Sequence, residues 1–164
     1  LEEGFAKGYV GLSNEPNLQA PFLFNYSGKP WLTQKYTRWI LGHNFDSTPY
    51  RGCTGEEDEG QMSSYYIMLA LGLFEMKGGC ETTPQLDLSS PLFDKVVLHL
   101  DPAFYKGSTF TIETRNNSKE NVYIQSVELN GRPIAGPRID FKSITDGGTI
   151  IFNLGPKPNE AWGK

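Results

Sequence analysis

The sequence predicts an α+β chain in which helices come first and a small antiparallel β-sandwich follows. Three observations carry that expectation. Aromatic and apolar residues cluster at helical spacing in the first half, β-branched and aromatic runs take over after Pro91, and turn residues separate those later runs.

Between residues 28 and 45 the run GKPWLTQKYTRWILGHNF places Trp31, Tyr36, Trp39 and Ile40 near helical spacing, with Pro30 tolerated in the first turn. From Glu59 to Met76, EGQMSSYYIMLALGLFEM is apolar nearly all round after its first turn. Such a helix is buried on most faces, as in the inner layer of a helical barrel. Gly78-Gly79 is its expected stop. After Pro91, the strand candidates are 95–100 (KVVLHL), 108–115 (STFTIETR), 121–129 (NVYIQSVEL) and 149–154 (TIIFNL). Phe110, Ile112 and Thr114 alternate with Thr109, Thr111 and Glu113, the period-two pattern of a half-buried strand. Asn116-Asn117-Ser118, Asn130-Gly131 and Asp146-Gly147-Gly148 supply the turns between them.

Composition bounds what such a chain does. With 38% hydrophobic and 21% charged residues among 164, the chain matches a globular domain and argues against disorder. The longest apolar run, Tyr65 to Phe74, is about half of what a membrane span needs. Fifteen Lys and Arg against nineteen Asp and Glu leave a net charge of −4, the wrong sign for a partner of nucleic acid. The chain starts at Leu1, and Leu1 to Val10 has neither the basic start nor the apolar run of a signal peptide, so it reads as the interior of a longer protein. Cys53 and Cys80 fit no metal-site spacing; one disulfide and two free thiols both remain open.

Chemistry concentrates in Gly55-Glu56-Glu57-Asp58-Glu59-Gly60, just ahead of the apolar helix. The plain reading is a helix start, with Thr54 and Glu57 spaced as a capping box and acidic residues favoured by the helix dipole. The sharper reading places carboxylates where a pocket would open, able to bind a cation or activate water. A second oxygen-rich cluster, Ser13-Asn14-Glu15-Pro16, precedes the aromatic stretch from Pro21 to Tyr26. His99 alternates with Leu98 and Leu100 and falls on an outer strand face, His43 falls near a helix end, and neither is assigned a role. Asn25-Tyr26-Ser27 and Asn116-Asn117-Ser118 match the glycosylation acceptor pattern. No phosphate loop, nucleophile elbow or His-rich zinc motif is present.

Several of these segments, taken in order, resemble the calcium-dependent exo-α-mannosidases of glycoside hydrolase family 92. They are Ser13–Pro16 (SNEP), Pro21–Gln34 (PFLFNYSGKPWLTQ), Gly55–Ser63 (GEEDEGQMS) with the Tyr-rich helix, and Ser90–Asp94 (SPLFD). Asn116–Ser126 (NNSKENVYIQS), Leu129–Gly131 (LNG) and Asn153–Gly163 (NLGPKPNEAWG) continue the match over essentially the whole chain. The resemblance implies the last helices of an (α/α)6-type barrel over residues 1–84 and a closing β-strand region, packed on the barrel, over residues 85–164. It implies inverting hydrolysis of terminal α-mannose on glycans, with Ca2+ binding and distorting the sugar, in a secreted or periplasmic protein. In the family's motif G-[DN]-[ED]-D-x-G, Asp58 takes the general-base position and Glu56 the supporting one, where Asp or Asn is usual. Asn14 and Glu15 match an Asn-Glu-Pro motif at the family's active site and are expected to contact substrate or calcium, with substrate binding taken as their role and the calcium ligands not assigned. The family's general acid comes from a motif well upstream of the acidic loop, and only residues 1–57 precede Asp58 here. The chain's expected partner is therefore the N-terminal remainder of the same protein, without which it should be inactive. A non-catalytic carbohydrate-binding or interaction module on this scaffold would have lost Asp58, and a sheet-based adhesion domain would leave the acidic loop unexplained.

Overall fold

A computed structural model describes the chain except at residues 2, 5, 6, 8, 13–16, 51 and 56, so Asn14, Glu15 and Glu56 lie outside the described residues. A 3-10 turn (Ala20–Phe22) leads into a short helix α1 (Leu23–Tyr26), followed by α2 (Pro30–His43) and α3 (Gln61–Leu71). Strands β1 (Leu73–Phe74), β2 (Gln85–Leu88), β3 (Lys95–His99), β4 (Thr109–Arg115), β5 (Tyr123–Leu129), β6 (Arg132–Ile134) and β7 (Arg138–Asp140) come next. Helix α4 (Phe141–Thr145) and strand β8 (Gly148–Gly155) end the series. Among the described residues no helix is long and apolar enough to cross a membrane.

Helix α2 forms where its sequence predicts, with Pro30 in the first turn, but it buries a different face. Its buried residues are Pro30, Thr33, Gln34, Thr37, Ile40 and Leu41, while Trp31, Tyr36 and Trp39 stay half-buried. Burying polar side chains is tolerable only when their hydrogen bonds are made. Here Thr33 Oγ1 donates to the Pro21 carbonyl at 2.8 Å, Thr37 Oγ1 to the Thr33 carbonyl at 2.9 Å, and Gln34 Oε1 accepts from the Ile124 amide at 2.8 Å. Ile124 lies on β5 beyond the reach of β6, which pairs only with Val127–Leu129, so the glutamine meets an amide that the ladder leaves over.

Helix α3 is shorter than its apolar run. It ends at Gly72, in the left-handed conformation (φ 75°), where a Cβ would lie 2.7 Å from Pro91 Cγ; only glycine fits. The residues after it, Leu73–Phe74, pair with Leu88 and Asp87 of β2 instead of continuing the helix. Met62, Tyr65, Leu69 and Ala70 face inward, and Ile67 is 55% exposed, so the expectation of burial on most faces fails within this chain.

The strands form a three-stranded sheet (β1-β2-β7) and a five-stranded sheet (β3-β4-β8-β5-β6). The predicted antiparallel arrangement holds at every pairing except β4 with β8, which run parallel from Phe110↔Gly148 to Arg115↔Asn153. The sheet is mixed because the chain leaves β4, builds β5 to β7 and α4, and returns between β4 and β5 in the direction of β4. That return makes β8 central, and Ile150, Phe152 and Leu154 point into the core. The tight turn at Asn130-Gly131, both at positive φ, joins β5 to β6 with Leu129 opposite Arg132, the two-residue hairpin its sequence predicts.

Two buried clusters result. One joins the two sheets through Leu86, Leu88, Phe110, Ile112, Phe152 and their neighbours; the other joins the helices through Phe22, Ile40, Met62, Tyr65 and Leu69. Arg38 of α2 ties the clusters' shells together. Its guanidinium donates to the carbonyls of Pro91 (2.5 Å) and Ser118 (2.9 Å) and to Asn117 Oδ1 (3.0 Å).

Candidate active site

The acidic loop sits between the end of α2 and the start of α3. Asn44 ends α2, donating its amide to the Ile40 carbonyl at 2.9 Å. Thr54 is tied back to that point: its hydroxyl donates to the Asn44 carbonyl (2.9 Å) and accepts from Asn44 Nδ2 (3.2 Å). The capping box expected between Thr54 and Glu57 therefore does not form. Glu57 itself caps α3 from outside, its Oε1 accepting from the Ser63 hydroxyl at 2.5 Å and the Ser63 amide at 3.3 Å. The amides of Gln61 and Met62 donate to the carbonyls of Asp58 and Glu57, both at 3.2 Å.

Asp58 (φ 50°), Glu59 (φ 58°) and Gly60 (φ 98°) are three consecutive residues in the left-handed region. For the two that carry a Cβ this costs about 1–2 kcal/mol each. Strain of this kind persists where the surroundings hold it, and it gathers at functional sites. The Asp58 carboxylate is exposed and makes no side-chain hydrogen bond among the described residues.

Beside this loop opens a cavity of about 690 Å³ whose walls include Phe45, Tyr50, Tyr66, Cys53, Glu57 and Ser63. Phe45 meets Tyr66 edge-on at 5.2 Å, and Tyr50 is 94% exposed at the rim. A smaller hollow of about 490 Å³, bordered by His43, Asn44 and Thr54, shares Phe45, Tyr50 and Cys53 with it. Asp46 and Glu57 contribute the acidic side of the larger cavity, and Asp58, next to Glu57 in sequence, is not part of its lining. The hydrogen bond from Ser63 holds the Glu57 carboxyl below its usual range. Burial first, then Glu57 and the charge of Asp58, push the Cys53 thiol up. Cys53 and Cys80 are both free thiols.

The remaining candidates scatter. His43 stacks on Trp39 at 4.4 Å with Nδ1 2.8 Å from the Trp39 carbonyl, and His99 is exposed on β3. Asn25 is buried, its Nδ2 donating to Asp87 Oδ1 (3.0 Å) and to the Leu88 carbonyl (3.2 Å), so this acceptor motif is closed to modification, whereas Asn116 is exposed. Sequence reasoning did not find Asp87. It is 1% exposed, accepts from Tyr26 Oη at 3.0 Å as well as from Asn25, and has its carboxyl pushed up by burial. The Arg138 guanidinium lies over the Tyr26 ring at 4.8 Å.

Calcium takes about six to eight oxygen ligands from several segments. No group of three or more His, Cys, Asp or Glu that could hold a metal ion occurs among the described residues, and the Glu57 oxygen nearest the helix is engaged by Ser63. The described residues thus do not make up a calcium shell.

The structure is thus a helix-and-strand unit with a carboxylate-rich loop beside an aromatic-walled cavity. The profile of the glycosyl hydrolase family 92 catalytic domain matches residues 2–156, and the chain belongs to that family. An uncharacterized secreted glycosidase of Arthroderma benhamiae is 32% identical over 155 residues, covering 94% of this chain and 19% of that protein. Among solved structures, a family GH92 alpha-mannosidase of Bacteroides thetaiotaomicron is 25% identical with a TM-score of 0.83, covering 92% of this chain and 19% of its own. A GH92 inverting mannosidase from the same organism is 30% identical with a TM-score of 0.79, again over 92% and 19%. The chain spans about a fifth of the length of these relatives.

Proposed function

We propose that this chain is the C-terminal portion of an inverting exo-α-mannosidase that removes terminal α-mannose from glycans. Residues 1–84 would supply the last helices of its helical barrel and residues 85–164 the strand region packed on it. The observation that carries the reading is the acidic loop of a family 92 chain, with Asp58 exposed, at positive φ and next in sequence to the cavity-lining Glu57. One of the solved relatives is an inverting mannosidase, which favours that stereochemical course here. The fungal relative is a secreted glycosidase, which favours a secreted or periplasmic setting.

In this reading Asp58 takes a proton from water as it attacks the anomeric carbon from the face opposite the leaving oxygen. That oxygen receives its proton from a second carboxyl about 6.5–9.5 Å away. Glu56 supports the water, Asn14 and Glu15 orient the sugar, and the second carboxyl comes from the preceding part of the longer protein. Family membership is consistent with calcium dependence, and the ion's shell would be completed by that same part, so the chain alone binds calcium weakly.

The test is an aryl α-mannoside assay on the protein encoded by the whole reading frame. Asp58→Asn should lower turnover about 10²–10⁴-fold without unfolding, because it removes a base and keeps the volume. Unchanged turnover would remove Asp58 from the reaction. A whole protein that binds mannosides and turns none over would be the non-catalytic module. Turnover by the 164-residue chain alone would overturn the upstream placement of the acid.

A further inference from the structure

We propose that Glu57 and Ser63 are a positioning pair that aims Asp58, an inference that rests on the reading of Asp58 as the general base. Among the described residues the Asp58 side chain has no hydrogen bond of its own, so the backbone, which sets its Cα–Cβ direction, is what places the carboxylate relative to the cavity. The Asp58 backbone is in a conformation that side-chain-bearing residues rarely adopt, as is that of Glu59. Something next to them must hold it.

Glu57 is that hold. Toward the helix, its carboxylate accepts from both the hydroxyl (2.5 Å) and the amide (3.3 Å) of Ser63, six positions on. The Ser63 hydroxyl also lies 3.2 Å from the Gly60 carbonyl, the last residue of the left-handed run. The loop from Glu57 to Ser63 is thereby closed across its base, with Asp58 projecting from it. Glu57 faces the cavity, yet its accepting capacity toward the helix is spent on Ser63, which suits it to holding and not to proton transfer. A displacement of about 1 Å in a reacting group can cost on the order of 10²-fold in rate, so a slackened loop should show in turnover before it shows in folding.

The test uses the whole-reading-frame protein and the same mannoside assay. Glu57→Ala and Ser63→Ala should each lower kcat about 10–100-fold, leave KM within about twofold and leave the melting temperature nearly unchanged. Glu57→Gln keeps an oxygen for Ser63 and should recover activity to within about fivefold of the parent. The decisive arm is Glu57→Ala in the Asp58→Asn background. A residue acting through Asp58 has nothing left to aim, so the residual rate should change less than about twofold. If Glu57→Ala costs the same factor with and without Asp58, the pair acts elsewhere and the proposal is wrong. Full activity in both alanine variants overturns it as well, while Ser63→Ala stands in should Glu57→Ala fold poorly. Unchanged turnover in Asp58→Asn alone sinks the reading of the base and this inference with it; a large loss there with no loss in either alanine variant sinks only the inference.

Discussion

The strand region and the helical region solve burial in opposite ways. Along β4 and β8 the inward positions are Phe110, Ile112, Ile150, Phe152 and Leu154, all apolar and at most 3% exposed. On α2 the inward positions include Thr33, Gln34 and Thr37, at most 1% exposed, while the aromatic Trp31, Tyr36 and Trp39 are half-buried, and on α3 Ile67 is largely exposed. The strands therefore close a core of their own by transfer of apolar surface. The helices bury an apolar cluster as well, through Phe22, Ile40, Met62, Tyr65 and Leu69, but they add buried polar side chains, of which Gln34 bonds a strand, and they keep apolar area in reserve. In the proposed reading, that reserve faces the neighbouring helices of the barrel.

The largest effect that would break this contrast is a pair of truncations measured by denaturant unfolding of the chain. Phe152→Ala, in the middle of the central strand, should cost about 3–5 kcal/mol. Ile67→Ala should fall within about 0.5 kcal/mol, because the side chain is already in water. Comparable losses at both positions would mean that the helical face is covered in solution and that the two regions do not differ as described.

A middle-sized effect sharpens the contrast where the regions touch. Asp87 on β2 receives hydrogen bonds from Asn25 and Tyr26 of α1, so Asp87→Ala takes the acceptor from Tyr26 Oη and from one hydrogen of the buried Asn25 Nδ2, whose other bond to the Leu88 carbonyl remains, and should cost about 1–3 kcal/mol. The pH dependence has a definite sign. Burial raises the folded-state pKa above the ordinary 3.8, so the folded protein holds this proton more tightly than the unfolded chain. Asp87's contribution is then most favourable below 3.8 and is lost as pH rises through the raised value. Asp87→Asn cannot ionise. Unfolding free energies from pH 4 to 7 should therefore fall for the parent relative to this variant, and parallel curves would show that the carboxyl is not desolvated in solution.

How much of this was legible depended on the range of the interaction. The β4 alternation, the Asn130-Gly131 hairpin and the Pro30 helix start are local, and each stands where the sequence puts it. The end of α3 was misplaced because Gly72 looks like one more small residue in an apolar run; what makes it a stop is Pro91, nineteen positions on. The parallel pairing of β4 with β8, the Gln34–Ile124 bond and the Asn25–Asp87 bond link segments that no periodicity relates. Charge density was enough to mark the acidic loop. Its internal wiring was not, since the Thr54–Glu57 spacing fits a capping box and Thr54 is instead taken by Asn44.

The smallest effect concerns the thiols and reads the acidic loop directly. The thiolate is the form that alkylates, so a cysteine whose charged form is disfavoured reacts slowly. Cys53 is half-buried, and burial, the Glu57 carboxylate and the Asp58 charge all push its thiol up, whereas Cys80 is exposed on a turn. Iodoacetamide at pH 8 should therefore modify native Cys80 faster than Cys53, by at least about threefold, with the difference vanishing in denaturant. Glu57→Ala removes a negative neighbour that pushes the thiol up. It should speed Cys53 and leave Cys80 unchanged. Equal native rates would place Cys53 in open solvent away from Glu57. A Cys53 rate indifferent to Glu57→Ala would attribute its protection to burial alone and loosen the loop to a degree that the short Glu57–Ser63 contact does not allow.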